Sequence, residues 1–250
     1  MIASLRSEFR KLLSVRSTYV LTALVLALVT FIAFYVQGWR FSSMELQNPL
    51  LLENGIRSAL NIAVFGAIVA ILLMTHEYRY NTIMYTLTSS NSRSGVLLSK
   101  IIVISCYAIF LALLIASWSV LMTYLGVHLH GHSFVSQTIH INDLLWRSLF
   151  YGWSYGMAGL LLAAIMRSQV GAIAALFLLP GLIEQLLGFW LKSDAVYLPF
   201  TALSQMIRSG GTTTIGGGSL SPSKAALVFC IYLMIGWLVA WVLFLRRDAN

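Results

Sequence analysis

The sequence contains one match to a catalytic pattern, formed by Gly152, Ser154 and Gly156. This G-x-S-x-G arrangement presents a nucleophilic serine in hydrolases, where it lies on a turn between a strand and a helix. Here the pattern lies within an apolar run, and the nearest acid and base, Asp143 and His140, precede the serine by at least about three helical turns. Because the members of a catalytic triad must be in hydrogen-bond contact, the spacing argues against a serine hydrolase.

Small residues instead recur along this run at helical spacing. They are Gly152, Gly156, Gly159 and Ala163. A strip of small side chains lets two helices approach closely within a membrane. We therefore predict that the strip packs against another helix. It is also one reason to expect that the chain pairs with a second copy of itself or with a close relative.

Three histidines alternate at His128, His130 and His132. On an extended chain, alternate side chains point to the same side, so the three could share a metal ion. No further ligand follows at a fixed spacing, and a solvated loop without a metal is the alternative. The His76-Glu77 pair is not a zinc-protease motif, because the second histidine of that motif is missing.

Glu184 is the one acid deep within an apolar run. Pro180 and Gly181 precede it by about one helical turn and are predicted to kink the helix. Buried acids in membranes are costly and usually face a cavity or a partner. Glu184 could therefore line a substrate path, or it could simply reach the water on the outer side, and both interpretations stay open.

No segment has the Gly-x-x-x-x-Gly-Lys pattern of a phosphate-binding loop, since no glycine is followed by lysine. The chain therefore binds no nucleotide by that device, and we expect it to hold no cofactor. If ATP drives its activity, the ATPase is another polypeptide.

The composition is that of a membrane protein. Of 250 residues, 59% are hydrophobic and 10% are charged, and the mean hydropathy is +0.84. Soluble domains carry roughly a quarter charged residues. The net charge of +8 could indicate nucleic-acid binding, but no basic cluster with interleaved aromatic residues occurs. Positive charge kept on the cytoplasmic side gives the same excess, so we expect no nucleic-acid partner.

Six apolar runs each approach the ~20 residues that a helix needs to cross a bilayer. They are Tyr19 to Val36, Ser58 to Thr75, Ile101 to Leu125, Leu144 to Met166, Val170 to Leu191 and Ala225 to Leu245. These runs are apolar on every side, without the alternating polarity of strands. The sequence predicts an all-α membrane protein of about six transmembrane helices, with residues 1–250 forming a single domain.

Lysine and arginine are divided unequally between the two sets of flanking segments. One set holds ten, which are Arg6, Arg10, Lys11, Arg16, Arg79, Arg93, Lys100, Arg167, Arg246 and Arg247. The other holds six, which are Arg40, Arg57, Arg147, Lys192, Arg208 and Lys224. Because cytoplasmic flanks carry the excess of these residues, we predict that both termini are cytoplasmic.

Three segments outside the predicted spans are notable. Residues 1–17 carry apolar side chains at helical spacing with basic residues between them, which predicts an amphipathic helix on the inner leaflet in contact with lipid. A plain basic flank is the alternative. Residues 76–100 form the only sizeable cytoplasmic loop of the predicted topology. Residues 192–223 form an outer loop that ends in a Gly/Thr/Ser tract, which is flexible by composition.

The cytoplasmic loop begins with an acidic-basic stretch, continues through a threonine-hydrophobic turn, and ends with a basic residue at the next span. The residues concerned are Glu77, Tyr78, Arg79, Tyr80, Asn81, Thr82, Ile83, Thr86, Leu87, Thr88, Arg93 and Lys100. With Glu8, Lys11 and Arg16 before the first span, and Met166-Arg167-Ser168 after the fourth, they resemble the bacterial ATP-binding-cassette type 2 permeases. Asn81 replaces the family's usual glycine, and the proline common near Ser89 to Ser92 is absent. The resemblance covers the whole chain in topology but only a few short patches in sequence.

The resemblance implies the membrane subunit of an ATP-driven transporter, an exporter, in the bacterial plasma membrane. In this family two permease halves work with two separate ATPases, and a short cytoplasmic coupling helix docks in a groove of each ATPase. This implies a coupling role for Glu77, Arg79, Tyr80, Thr82, Ile83, Tyr85, Leu87 and Arg93. The apolar side chains among them could fill such a groove, whereas a plain solvated connector is the alternative. ATP would be hydrolysed on the partner, and the chain itself would not be an enzyme.

Two other functions remain possible from the sequence. An ion-coupled secondary transporter could use Glu184, but it would be expected to have paired broken helices in two related halves. The sequence shows one Pro-Gly break and no clear internal repeat. A membrane scaffold or sensor that transports nothing is the second alternative, and it would need no ATPase.

Overall fold

The computed structural model of the chain describes residues 2–40, 48–80, 93–131, 137, 139–208 and 218–246. Within these ranges the chain is almost entirely helical and has no strand. Six helical stretches there are long and apolar enough to cross a membrane. The predicted class, an all-α membrane protein of about six transmembrane helices, is therefore confirmed.

The helices follow one another with short interruptions. They are α1 (Ile2–Ser14); α2 (Arg16–Thr30), continued by a π-helical segment at Phe31–Trp39; α3 (Leu51–Leu60), joined through a 3-10 turn at Asn61–Ala63 to α4 (Val64–Arg79); α5 (Arg93–Leu129); α6 (Ile141–Met166); α7 (Gln169–Leu178), followed by a π-helical segment at Leu179–Ile183; α8 (Glu184–Leu191), followed by a 3-10 segment at Lys192–Tyr197; α9 (Pro199–Gln205); and α10 (Pro222–Arg246).

The six candidate spans run alternately between two ends of the bundle. They are Arg16–Trp39, Leu51–Arg79, Ser94–Leu129, Ile141–Met166, Gln169–Tyr197 and Pro222–Leu243. We call the end that carries α1, the connection between α4 and α5, and the end of α10 the terminal end. The opposite end, which carries the connection between α5 and α6 and the helix α9, is the far end.

The second and third spans are longer than the apolar runs that predicted them. The second begins at Leu51 rather than Ser58, and α5 begins at Arg93 rather than Ile101. Hydropathy marks only the apolar part of a helix, whereas these extensions carry charged side chains that are buried in ion pairs, as described below. The loop expected at residues 76–100 is correspondingly shorter, because its two ends are helical and only residues 80–92 lie between α4 and α5.

The core of the bundle is built by α4, α5 and α6. Ala67, Ala70 and Ile71 of α4 are fully buried, as is Leu160 of α6. The first, fifth and sixth spans are much less enclosed than the second. They expose large apolar side chains such as Trp190, which bilayer lipid would cover. The enclosed helices are therefore the ones positioned to hold polar groups away from lipid.

The small-residue strip of α6 lies inside this core. A Cβ added at Gly152 would lie 2.6 Å from the Cβ of Ala112, and one at Gly156 would lie 2.8 Å from the Cβ of Ala108, both in α5. A Cβ at Gly159 would collide with the backbone of Ala67 in α4. The strip thus brings α6 close to two helices of the same chain. It is not an open surface for a second copy, so it no longer supports the expectation of a dimer.

Ser154 of the G-x-S-x-G match is buried in the middle of α6. Its Oγ has no hydrogen-bond partner among the residues described. The strand-turn-helix geometry that exposes a hydrolase serine is absent at this position, because the whole segment is one continuous helix.

The fifth span is interrupted at the position that Pro180 predicted. The chain passes from α7 through the π-helical segment at Leu179–Ile183 into α8, and then turns through a 3-10 segment into α9. Much of the first half of the predicted outer loop, residues 192–205, is therefore helical rather than irregular. Residues 209–217, which include most of its glycine-rich tract, lie outside the described chain.

Candidate coupling site

Four charged side chains join three helices at the terminal end. Glu8 and Lys11 come from α1, Glu77 from the last turn of α4, and Lys100 from the start of α5. Lys11 Nζ donates to Glu8 Oε1 at 2.7 Å and to Glu77 Oε1 at 2.5 Å, and Lys100 Nζ donates to Glu8 Oε2 at 2.8 Å. Lys100 Nζ also lies 3.0 Å from Glu77 Oε1. We call these four residues the charge cluster.

The charge cluster is buried and electrically balanced. Glu8 and Lys100 are each 1% exposed, Glu77 is also buried, and Lys11 is about one-third exposed. Two carboxylates face two ammonium groups, so the desolvation of each charge is offset by two close partners of opposite sign. Removing any one member would leave an uncompensated charge away from water, which makes the cluster a strong constraint on how the three helices are placed.

Lys11 and Glu8 lie in α1, outside the candidate spans, and the pKa of Lys11 is shifted by its partners. Burial acts to lower its pKa, but hydrogen bonds to Glu77 and Glu8 outweigh that effect and raise the pKa above its ordinary value. A raised lysine pKa contributes stability at every pH below the unfolded value, and that contribution is lost only as the pH rises through the folded value. The Lys11 ion pairs therefore persist throughout the physiological pH range.

The sequence of α1 explains how Glu8 reaches the cluster. Leu5, Glu8 and Leu12 recur at helical spacing, and all three pack against the bundle. Arg6 and Arg10 lie on the opposite side and are exposed. The predicted amphipathic helix thus has a face that is seated on protein as well as a basic face available to lipid headgroups.

A second contact fastens α1 to α5. The hydroxyl groups of Ser4 and Ser99 lie 3.0 Å apart, and either can donate the hydrogen bond. Ser99 is the neighbour of Lys100, so α1 is held to the same turn of α5 by a neutral contact and an ionic one. Displacement of the start of α5 must therefore be transmitted to α1 or break both contacts.

The predicted coupling residues lie next to the charge cluster along the chain. Arg79 and Tyr80 are exposed where α4 ends, and the guanidinium carbon of Arg79 lies 5.7 Å from the centre of the Tyr80 ring. Arg93 is the first residue of α5. The remaining four, Thr82, Ile83, Tyr85 and Leu87, lie outside the described residues. The connection thus begins at the turn of α4 that carries Glu77, and it ends about two helical turns before Lys100 of α5.

A further basic residue approaches this region from α6. Arg167 follows α6 with φ of 53°, a left-handed conformation that ends the helix. Its guanidinium carbon lies 5.3 Å from the centre of the Tyr78 ring in α4. This cation–π contact links the α6–α7 turn to the helix that carries Glu77.

The histidines of the predicted metal site do not lie on an extended chain. His128 is in the last turn of α5, and His130 lies in the turn that follows. The His130 ring packs 4.7 Å from the Trp39 ring, measured between centroids. His132 lies outside the described residues. Because His128 is helical, the argument that three alternate histidines on an extended chain face one metal ion is wrong. Among the described residues, no three metal-ligating side chains come together.

Glu184 has a well-defined structural partner. Its Oε1 accepts a hydrogen bond from the Phe200 amide at 2.8 Å, and its Oε2 accepts from the Thr201 amide at 2.6 Å and from Thr201 Oγ1 at 2.7 Å. These groups are at the N-terminus of α9, so the carboxylate caps that helix. Glu184 also lines a cavity of about 210 Å³ at the far end. Glu184 therefore caps α9, and its place on a substrate path stays a prediction.

The sequence did not reveal a second network of charges, at the far end, in which Glu53 and Arg57 are buried and Asp143 and Arg147 are partly buried. Arg57 Nη2 lies 2.6 Å from Glu53 Oε1 and 3.4 Å from Asp143 Oδ2. Asp143 also pairs with Arg147 at 2.6 Å, and the His140 amide donates to Glu53 Oε2 at 3.2 Å. The i to i+4 spacings of Glu53 with Arg57 and of Asp143 with Arg147 were the available signals. In the sequence, Arg57 and Arg147 are counted only among the basic residues that flank the predicted spans.

The charge cluster also went undetected from the sequence, although all four members were noted separately. Lys11 and Glu8 are one turn apart, but Glu77 and Lys100 are remote from them along the chain. Helical periodicity shows which side chains share a face, and it does not show which helix that face meets. The available signal was that Glu77 and Lys100 are charged residues of opposite sign at the ends of two neighbouring helices, and could therefore form an ion pair.

Comparison with known protein families agrees with the resemblance seen in the sequence. The family model described as ABC-2 family transporter protein matches residues 4–182. The match runs from α1 to the break in the fifth span, so it contains all members of the charge cluster and the 80–92 connection. No curated protein matches the chain. Because the family model covers well over half of the sequence, the chain belongs to the ABC-2 family of transporter membrane proteins.

Proposed function

We propose that this membrane subunit of an ABC transporter is one half of an exporter, powered by a separate ATPase that docks on the 80–92 connection. Membership of the family and the six apolar helices support the transporter role. ATP would be bound and hydrolysed by the partner, and two permease copies, or this chain with a close relative, would form the membrane part. The bacterial plasma membrane is the proposed location, with the terminal end in the cytoplasm.

The charge cluster is the observation that carries this proposal. A partner that pushes on the 80–92 connection acts on the last turn of α4 and the first turns of α5. Glu77 and Lys100 tie those turns to α1 through Glu8 and Lys11. Since α1 leads directly into the first span at Arg16, movement at the connection reaches three spans without passing through lipid-exposed contacts.

Isolation of the assembled transporter tests this function. The tagged chain, purified from the membranes of its native host, should copurify with an ABC-type ATPase at a mass that fits two copies of each subunit. ATP should then drive accumulation of substrate into inside-out vesicles if the direction is export. Isolation of an active chain alone, with no ATPase and no dependence on ATP, would favour the membrane scaffold or the ion-coupled transporter.

The proposed orientation has a separate test. In a variant with Cys106 and Cys230 replaced, we expect a cysteine at Ser193 to react in intact cells with a membrane-impermeant maleimide. A cysteine at Ser14 should react only after the cells are permeabilised. Both positions are exposed and lie at opposite ends of the bundle. The reverse pattern of labelling would invert the topology and rule out an ATPase on the 80–92 connection.

A further inference from the structure

A polar cleft opens at the far end of the bundle, on the side away from the coupling site. Its volume is about 440 Å³. It is lined by Asn54, Arg57, Ser58, Asn61, Ser204, Ile207 and Arg208. These residues come from α3, the 3-10 turn that follows it, and the end of α9. Two guanidinium groups, two amides and two hydroxyl groups therefore border one space, and no carboxylate is among its lining residues.

Arg57, one of the residues that line this cleft, has an unused hydrogen-bond donor. The residue is 6% exposed, and its Nε and Nη2 are directed to Glu53 and Asp143. Its Nη1 is buried and has no hydrogen-bond partner among the residues that the structure describes. A buried donor without a partner is costly, and a ligand oxygen that bound beside Arg57 and reached Nη1 would remove that cost.

Arg208 gives the cleft an excess of positive charge. In the far-end network, the positive charges of Arg57 and Arg147 are balanced by Glu53 and Asp143. Arg208 is exposed and has no ion pair within the described part of the chain. The lining of the cleft itself thus holds two guanidinium groups and no carboxylate, with Glu184 in the adjoining cavity, and this lining favours an anion.

The cleft continues into a cavity of different character. Asn61, Ser204 and Arg208 also line the cavity of about 210 Å³ beside Glu184, and the rest of that wall includes the rings of Tyr151, Tyr155 and Phe200. A ligand held by its anionic group at the arginines could place an attached apolar group against these rings.

From this arrangement we propose that the far-end cleft is a binding site for a phosphate-type oxyanion, with the aromatic cavity receiving the group attached to it. Planar guanidinium groups match the oxygens of a phosphate with paired hydrogen bonds. The shared chemistry is the phosphate, which a lipid headgroup or a soluble phosphate compound could bring. The site does not depend on the proposed transport activity, because binding requires no ATPase.

Calorimetric titration of the purified full chain in phosphatidylcholine nanodiscs tests the site. The probes are dihexanoyl phosphatidic acid, dihexanoyl phosphatidylcholine and inorganic phosphate. We expect the anionic lipid to bind and the zwitterionic one to bind at least about tenfold more weakly. Inorganic phosphate that competes with the lipid at equal affinity would identify a soluble source of the ligand. Failure of inorganic phosphate to compete would identify an amphiphile that also needs the aromatic cavity.

Variants make the assignment specific. Arg208→Gln should weaken binding of the anionic lipid about tenfold or more. Ser58→Leu, which narrows the cleft without changing charge, should weaken it as well. The matched control is Arg40→Gln, which removes another exposed far-end arginine that lines neither cavity. Equal binding by wild-type protein, Arg208→Gln and Ser58→Leu would overturn the proposal, as would equal binding of the two lipids.

Discussion

Replacing Lys100 by methionine should cause a severe loss of folded protein. The methionine has a similar length but leaves the carboxylates of Glu8 and Glu77 buried with only Lys11 to balance them. Breaking a buried ion pair on one side costs about 3–5 kcal/mol, a large share of the stability of most domains. Thermal unfolding of the detergent-solubilised chain, followed by size-exclusion chromatography, would measure the loss.

A second substitution that restores the charge balance of the cluster is the control for Lys100→Met. Adding Glu8→Gln to Lys100→Met leaves one carboxylate, Glu77, opposite one ammonium group, Lys11. The double variant should therefore be more stable than Lys100→Met alone, which a role based only on side-chain volume would not produce. Arg10→Met, on the exposed side of α1, should behave as wild type. If Lys100→Met unfolds at the wild-type temperature, the charge cluster does not hold these helices together.

An aspartate at Ile83 or Leu87 should uncouple the transporter from its ATPase. If the apolar side chains of the 80–92 connection fill a groove on the partner, a charge placed there is buried without a counter-ion. Burying it would weaken docking by on the order of several kcal/mol. We expect the variants to insert normally, to lose copurification with the ATPase, and to lose ATP-dependent transport. Pull-down of the ATPase and vesicle transport assays would be compared in the same membranes.

Ile141→Asp is the matched control for the coupling variants. Ile141 is exposed at the first turn of α6 on the far end, where a carboxylate is tolerated near a helix N-terminus. It adds the same charge through the same substitution, at the opposite side of the membrane. Normal association and transport by Ile83→Asp and Leu87→Asp would show that the connection is not the docking element.

The apolar parts of the fold were predictable because the bilayer imposes a length and a composition on each crossing helix. The six runs, the break at Pro180 and the close packing of Gly152, Gly156 and Gly159 all follow from local sequence. The extensions of the second and third spans do not, because Glu53, Arg57 and Lys100 look like flanking residues until their partners are known. Those partners are close in space and, for Lys100, remote along the chain.

The surroundings of two polar residues, His128 and Glu184, could not be predicted from the sequence for a different reason. The metal argument for His128 assumed an extended backbone, but α5 continues to Leu129. The apolar pattern of the sequence does not show where this helix ends. Glu184 was recognised as unusual, yet its hydrogen-bond donors belong to a short helix, α9, that has no apolar run of its own. Side-chain chemistry identified residues that need a partner, but only the tertiary structure shows which groups those partners are.

The way Glu77 is shared has a consequence for how this chain can change over evolutionary time. One oxygen of Glu77 contacts both Lys11 and Lys100, and Glu8 contacts the same two lysines. A neutral replacement at any of these positions removes two ion pairs at once. A lineage that changes one position at a time would therefore contain a poorly folded intermediate. Substitutions that remove one carboxylate and one ammonium group together avoid that intermediate. Among homologues, the four positions should therefore covary in pairs that keep the sum of their charges at zero, whichever side chains occupy them.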